Sequence, residues 1–312
     1  MQSTVEIVLP IFALVLAGWA AGRFRVLSPE GVRGLAAFVF WVALPAFLFR
    51  TMGRGVDWAA IDLRVLLSYF LPCFFTYLLA LPVSRWAFGL RLEESAVFAM
   101  GCVWSNMVLL ALPLVLAAFG ERGVVPLMML IAVDSILLIP LTSILIEVGK
   151  GGRATGRAFR TTALALAKNP VILSTGGGVI WGALGLGLPG PVDRFAQLLS
   201  GAAPACALFS LGATLASYRL AGKLQESAAI VAVKLLLQPL LVWTLASQVF
   251  VLDPLWTAVA TVVAATPVGA NAFILAQSYG VYVQRATSAT LISTGLAVVT
   301  VGLLIGHFAP AG

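Results

Sequence analysis

The feature that most constrains this chain is a succession of continuous apolar segments, each about as long as a bilayer core is thick. A helix needs ~20 apolar residues to cross the hydrocarbon core, and runs of that order recur along the whole sequence. Of the 312 residues, 61% are hydrophobic and 10% charged. A soluble domain carries roughly 25% charged residues, so too few are present here to cover a water-facing surface. The runs are continuous, not alternating, which excludes a transmembrane β-barrel. The expected fold class is an all-α membrane protein.

Breaks at charges, glycines and prolines give ten candidate spans, at roughly 4–22, 32–51, 62–84, 94–120, 122–149, 169–188, 192–217, 223–250, 254–281 and 284–308. The first charge is Glu6 and no basic stretch precedes it, so the first run reads as a span and not as a cleaved leader. The net charge is +7. The basic residues fall in short loops, so topology accounts for them and no nucleic-acid partner is expected. With both termini outside the cytoplasm, thirteen Lys and Arg lie on the inner side and five on the outer, with Lys234 inside a span. That asymmetry favours this orientation. Cys73, Cys102 and Cys206 sit in apolar runs at unrelated spacings, and the single histidine, His307, is near the C-terminus. No disulfide framework, metal site or cofactor is implied.

The basic loop 150–168, "KGGRATGRAFRTTALALAK", splits the spans five and five. An odd number per half means that a repeated half is inverted in the membrane. The expected units are a first five-helix repeat at 1–149, a cytoplasmic loop at 150–168 and a second repeat at 169–312. The second span holds "LPAFLF" (Leu44 to Phe49) and the seventh "APACALF" (Ala203 to Phe209). The fourth holds "WSNMVLLALP" (Trp104 to Pro113) and the ninth "ATPVGANAFILAQ" (Ala265 to Gln277), each with proline and asparagine in mid-span.

A proline inside a helix lacks the N–H that would bond residue i−4. Pro113 is expected to free the Leu109 carbonyl and Pro267 that of Val263. Unsatisfied backbone groups in lipid cost several kcal/mol each, so such breaks survive only where protein or a water-filled cavity supplies partners. Ser105, Asn106, Thr266 and Asn271 can supply hydrogen bonds, and Gly269 leaves room for close backbone approach. A half-helix N-terminus offers free amides and a positive dipole end, which suits an anion, most naturally a carboxylate. The plainer reading is a pair of kinks whose asparagines bond neighbouring backbone.

The stretches "SNMVLLALPL", "KNPVILSTGGGVIWGALGLGLP", "APACALFSLGATLA" and "TPVGANAFILAQSYG" resemble the auxin efflux carrier family, in its bacterial branch of organic-anion permeases. The resemblance runs over essentially the whole chain. It implies a fold like that of the bile-acid/sodium symporters, with a scaffold, a transport part containing two broken crossing helices, and substrate at the crossover. It also implies a bacterial cytoplasmic-membrane location. The long central loop of the plant members is absent, so regulation through that loop is not carried over.

Lys234 lies well inside the eighth span, with Gln238 one turn on, and Asp134 in the fifth span is the obvious opposite charge. Intramembrane ionisable groups are costly and are functional candidates. A direct Lys234–Asp134 pair would be a proton-linked switch or a scaffold bond; the alternative is separate satisfaction by backbone or water. "STGGG" (Ser174 to Gly178) lacks the Gly-Lys-Ser/Thr ending of a phosphate loop and reads as close helix packing.

The expected function is a secondary transporter of a small organic anion, working by alternating access at the crossover, and not an enzyme. Ser105, Asn106, Pro113, Thr266, Pro267, Gly269 and Asn271 are the expected substrate site. The alternatives are a non-transporting ligand sensor on a carrier fold and an intramembrane lipid-modifying enzyme. Few intramembrane carboxylates are available, which favours a proton or no coupling ion over sodium. The lipid bilayer is the expected surrounding, and a homodimer is compatible with the sequence.

Overall fold

The computed structural model describes residues 2–55, 61–151 and 167–308, so most of the basic loop expected at 150–168 lies outside the described residues. In chain order the helices are α1 (Gln2–Arg23), α2 (Pro29–Gly53), α3 (Arg64–Phe88), α4 (Leu92–Val103), α5 (Met107–Phe119), α6 (Val124–Gly149), α7 (Pro170–Ala183), α8 (Gly190–Leu215), α9 (Leu224–Val249), α10 (Pro254–Ala264), α11 (Ala270–Tyr279) and α12 (Val283–Phe308). Among the described residues, seven helical stretches are long and apolar enough to cross a bilayer, and they correspond to α1, α2, α3, α6, α8, α9 and α12. α10 has 11 residues. At ~1.5 Å per residue it reaches only about half of a ~30 Å core. α4 with α5, and α10 with α11, thus read as spans interrupted in the middle.

α3 turns apolar side chains outward and polar groups inward, the reverse of a soluble protein. On α3, Leu67, Leu71, Phe74, Phe75 and Leu78 are exposed. Its opposite stripe buries Ser68, Tyr69, Cys73, Thr76 and Tyr77. Lipid solvates the apolar stripe well, so helix association rests on close packing and interhelical hydrogen bonds. The buried hydroxyls are used this way: Tyr77 Oη and Thr142 Oγ1 share a hydrogen bond of 3.0 Å between α3 and α6.

Two packing groups result. α1 lies along α8, and α2 along α7 and α8. The other group packs α3 on α4, α6, α9 and α10, and α9 on α10 and α12. Small residues set the spacing in the first group. A Cβ on Gly212 would stand 1.8 Å from the Val15 carbonyl oxygen, and one on Gly18 2.0 Å from that of Phe209. The "STGGG" run serves the same end, because a Cβ on Gly178 would lie 2.8 Å from the Phe49 oxygen. Only small residues let backbones approach this closely.

Prolines are absorbed within helices in a recurring way. π turns at Val39–Ala43, Met107–Ala111 and Val233–Leu237 each precede a proline by two residues: Pro45, Pro113 and Pro239. A π turn bonds i to i+5 and loosens the ladder locally, so the missing N–H and the proline ring fit without a break.

Charges gather at two opposite ends of the bundle. At one end Arg50 meets Asp193 at 2.9 Å, and Arg64 Nη1 donates to the Phe250 oxygen at 3.1 Å. At the other, Arg285 meets Glu226 at 2.8 Å and Glu94 at 3.5 Å, and Lys150 Nζ donates to the Tyr279 carbonyl. At the first of these ends, hydrogen bonds from Arg64 hold the Asp62 carboxyl below its ordinary range.

Candidate functional site

The two interrupted spans meet at their breaks. Trp104, Ser105 and Asn106 separate α4 from α5, and residues 265–269 separate α10 from α11. Ser105 and Val268 form an isolated antiparallel bridge. The Asn106 amide donates to the Pro267 oxygen at 3.0 Å, and the Gly269 amide to the Trp104 oxygen at 3.0 Å. Each break therefore satisfies backbone groups of the other, which is what a membrane interior demands. Side chains complete the knot. The Val268 amide donates to Ser293 Oγ at 3.1 Å, and Tyr69 Oη and Ser105 Oγ share a hydrogen bond of 2.7 Å.

Gly269 is required by the closeness of this crossing. A Cβ there would lie 2.5 Å from Trp104 Cδ1 and 2.7 Å from the Ser105 oxygen. Pro267 sits in the break itself, where its lack of an N–H costs nothing. Pro113 does not. The expectation that it breaks the fourth span is corrected: it lies inside α5, after the π turn in which the Leu112 amide bonds the Met107 oxygen. The break falls at Trp104–Asn106 instead. The antiparallel bridge register pairs Asn106 with Pro267 and Trp104 with Gly269, so Asn271 lies two positions beyond the paired residues.

A cavity of about 350 Å³ opens beside the crossing. Ser105, Asn106, Gly269 and Asn271 line it, with Trp104 and Asp134 among their neighbours. Pro113, Thr266 and Pro267 are not in its wall; Thr266 is buried and donates its hydroxyl to the Val263 oxygen at 2.7 Å. Phe40 on α2 and Ile131 on α6 also line the cavity. Nothing in their local sequence marks them, because they are apolar residues within apolar runs. Tyr69 and Ser293, which brace the crossing, could have been suspected as polar groups in mid-span.

The helix ends around the cavity determine its chemistry. α5 and α11 begin there, and neither Asn106 nor Gly269 makes a side-chain cap. The Met107 amide that opens α5 bonds the Ser105 oxygen at 3.0 Å, and the Ala272 amide of α11 bonds the Gly269 oxygen at 3.1 Å. The other amides of each first turn precede any carbonyl of their own helix that could take them, so they present donors and a positive dipole end. Asn106 is 5% exposed, and its Nδ2 has no hydrogen-bond partner. α10 ends at the break, where its Thr261, Val262 and Val263 carbonyls accept from the Ala265 and Thr266 amides. Lys234, fully buried on α9, donates to the Ala264 oxygen and so places its side-chain nitrogen on that C-terminus. A cation is favourable there.

Of the two readings of Lys234 and Asp134, the direct pair is not formed. Among the described residues, no ion pair joins them. Lys234 is held by backbone, while Asp134, 3% exposed, keeps Oδ1 without a partner. Gln238, one turn past Lys234, turns to α3 and donates from Nε2 to Cys73 Sγ at 2.9 Å. Among the described residues, no group of three or more His, Cys, Asp or Glu is placed to hold a metal.

Known proteins resemble this chain over nearly its full length. The family model described as "Membrane transport protein" matches residues 3–305. A protein of Rhizobium meliloti named "Putative malonate transporter" is 29% identical over 97% of this chain and 96% of its own. An uncharacterized transporter of Methanothermobacter thermautotrophicus is 26% identical over 97% of both chains. The mouse "Lysosomal cholesterol signaling protein" is 28% identical over 97% of this chain, which spans 36% of that longer protein.

Proposed function

Since the chain belongs to the membrane transport protein family, that of the auxin efflux carriers, we propose that it is a secondary carrier for a small organic anion, a carboxylate of the size of malonate. The observation that carries this reading is the cavity at the crossing, where two helix N-termini and the unpartnered Asn106 Nδ2 converge. Its volume of about 350 Å³ falls in the range of small-ligand sites, ~300–1,000 Å³. The name of the Rhizobium relative agrees with a short dicarboxylate.

Asn106 and Asn271 fix the anion by their side-chain amides, and the remaining backbone amides in the first turns of α5 and α11 bind it further. Lys234, behind the Ala264 carbonyl, supplies positive potential without reaching the ligand. Alternating access then moves the crossing against the α1, α2, α7 and α8 group. Two inverted five-helix repeats, with ten crossings and both termini outside the bacterial cytoplasmic membrane, account for the packing. The contact of α1 with α8 is repeated by α7 with α2, and that of α3 with α4 by α9 with α10.

The test is binding of malonate and other short carboxylates to purified protein, by thermal shift, for the wild type and Asn106→Ala. The expected result is a wild-type shift that the variant loses while keeping its own unliganded Tm. Wild-type affinity in the variant refutes the assignment. Counterflow of malonate in proteoliposomes separates a carrier from a sensor, which would bind without exchange.

A further inference from the structure

The anion site contains a carboxylate, and on the anion-carrier reading this needs an explanation. Asp134 lines the same cavity as Asn106 and Asn271, is 3% exposed, and has an unpartnered Oδ1. An ionised carboxylate only accepts hydrogen bonds. It would repel a bound anion and offer it nothing.

The charges that reach Asp134 are few. α9 contributes Lys234, and α3 contributes Cys73 and Tyr69. Cys102 of α4 stands near Lys234. α5 and α10 carry no titratable side chain. On α11 the titratable group is Tyr279 at the far end, donating to Glu147. Lys234 and Asp134 are thus the two groups that set the net charge of the buried crossing at neutral pH.

When Lys234 is an ammonium and Asp134 a carboxylate, their charges cancel in the empty site. Malonate, a dianion near neutral pH, would on entering alone leave two uncompensated negative charges inside the membrane, which is costly. If a proton enters with it and binds Asp134, one of the two is compensated. The protonated carboxyl also becomes an O–H donor, which the ligand's carboxylate can accept. We propose that Asp134 is the proton site of the carrier: one proton binds its carboxylate for each anion taken up, and the two cross together. Asn106 then supplies the N–H donor and Asp134 the O–H donor on the same ligand.

The experiment uses proteoliposomes with the membrane potential clamped at zero and radiolabelled malonate outside. For one proton per anion, an inside-alkaline gradient of one pH unit sustains about tenfold accumulation. The wild type is expected to reach this value and Asp134→Glu to retain it. In Asp134→Asn, whatever exchange remains should settle at a ratio of about one. A tenfold ratio in Asp134→Asn overturns the proposal. Wild-type counterflow indifferent to the gradient overturns it too, and leaves the carrier reading standing. Absence of wild-type malonate counterflow counts against the carrier reading itself. Infrared difference spectra decide the proton site separately. Malonate binding should raise a protonated-carboxyl C=O band in the wild type that Asp134→Asn lacks; no such band means that Asp134 takes up no proton.

Discussion

The two interrupted spans meet as unequal partners. The first break presents side chains to the crossing: Trp104, Ser105 and Asn106 all line the cavity. The second presents backbone: the Pro267 oxygen, the Val268 amide and the Gly269 surface on which Trp104 rests. Their outgoing half-helices differ as well. In α5, Leu110, Ala111, Leu112, Leu114 and Val115 are all buried, packed on α1, α6 and α8. In α11, Ile274 is 52% exposed, and the helix rests on α12 and α4 without comparable contact to the α1, α2, α7 and α8 group. Equal arms would suit a static knot. Unequal arms suit a carrier caught with one side of its site closed by α5 and the other open beside α11.

The comparison can be broken or sharpened by substitution. The largest effect is expected at Gly269→Val, because the new side chain meets the Ser105 carbonyl and the Trp104 ring. Overpacking of this kind costs about 1–3 kcal/mol, so Tm should fall and malonate binding disappear. A well-folded, binding-competent Gly269→Val would show that the crossing is not as tight as described. Next comes Lys234→Met, which leaves the Ala264 carbonyl without its partner. Hydrogen bonds from charged groups contribute about 1.5–3 kcal/mol, and chemical denaturation of the purified variant should register a loss of that order. If both stability and transport survive, Lys234 has no role at the crossing.

A smaller effect separates the two asparagines. Asn106→Ala removes a buried donor that has no protein partner, so the unliganded fold should lose nothing, whereas malonate affinity should drop about tenfold, ~1.4 kcal/mol. Asn271 is less buried and stands off the bridge register, so Asn271→Ala should cost less affinity. Equal losses at both would restore the symmetric picture. The finest probe is chemical. Over the background of native cysteines, Ile274→Cys should react with a membrane-impermeant thiol reagent applied on the face bearing Lys150, and malonate should slow it. Leu114→Cys should stay unreactive; labelling there would mean that the α5 side is open too.

Much of this was legible in the chain because it depends on local composition. Uninterrupted apolar runs dictate membrane helices, since no other open-ended segment satisfies its own backbone in lipid. Pro267 and Gly269 marked the second break correctly, because each changes the hydrogen bonding or the clearance of the backbone at its own position. Pro113 misled for the same reason: a proline guarantees a missing N–H but not how the helix absorbs it, and here a π turn did so.

Partner choice is of another kind. Lys234 finds Ala264 and not Asp134, Ser105 finds Tyr69, and Asn106 finds the Pro267 carbonyl. The sequence by itself determined which polar groups had to be hidden in the membrane and roughly where two spans would fail. The tertiary structure alone decided which of those groups satisfy one another and which, at Asn106 and Asp134, are left facing a cavity. The reason is geometric. A hydrogen-bond deficit is a property of one residue and its near neighbours, but its cure comes from helices distant in sequence, whose approach is set by packing of the whole bundle.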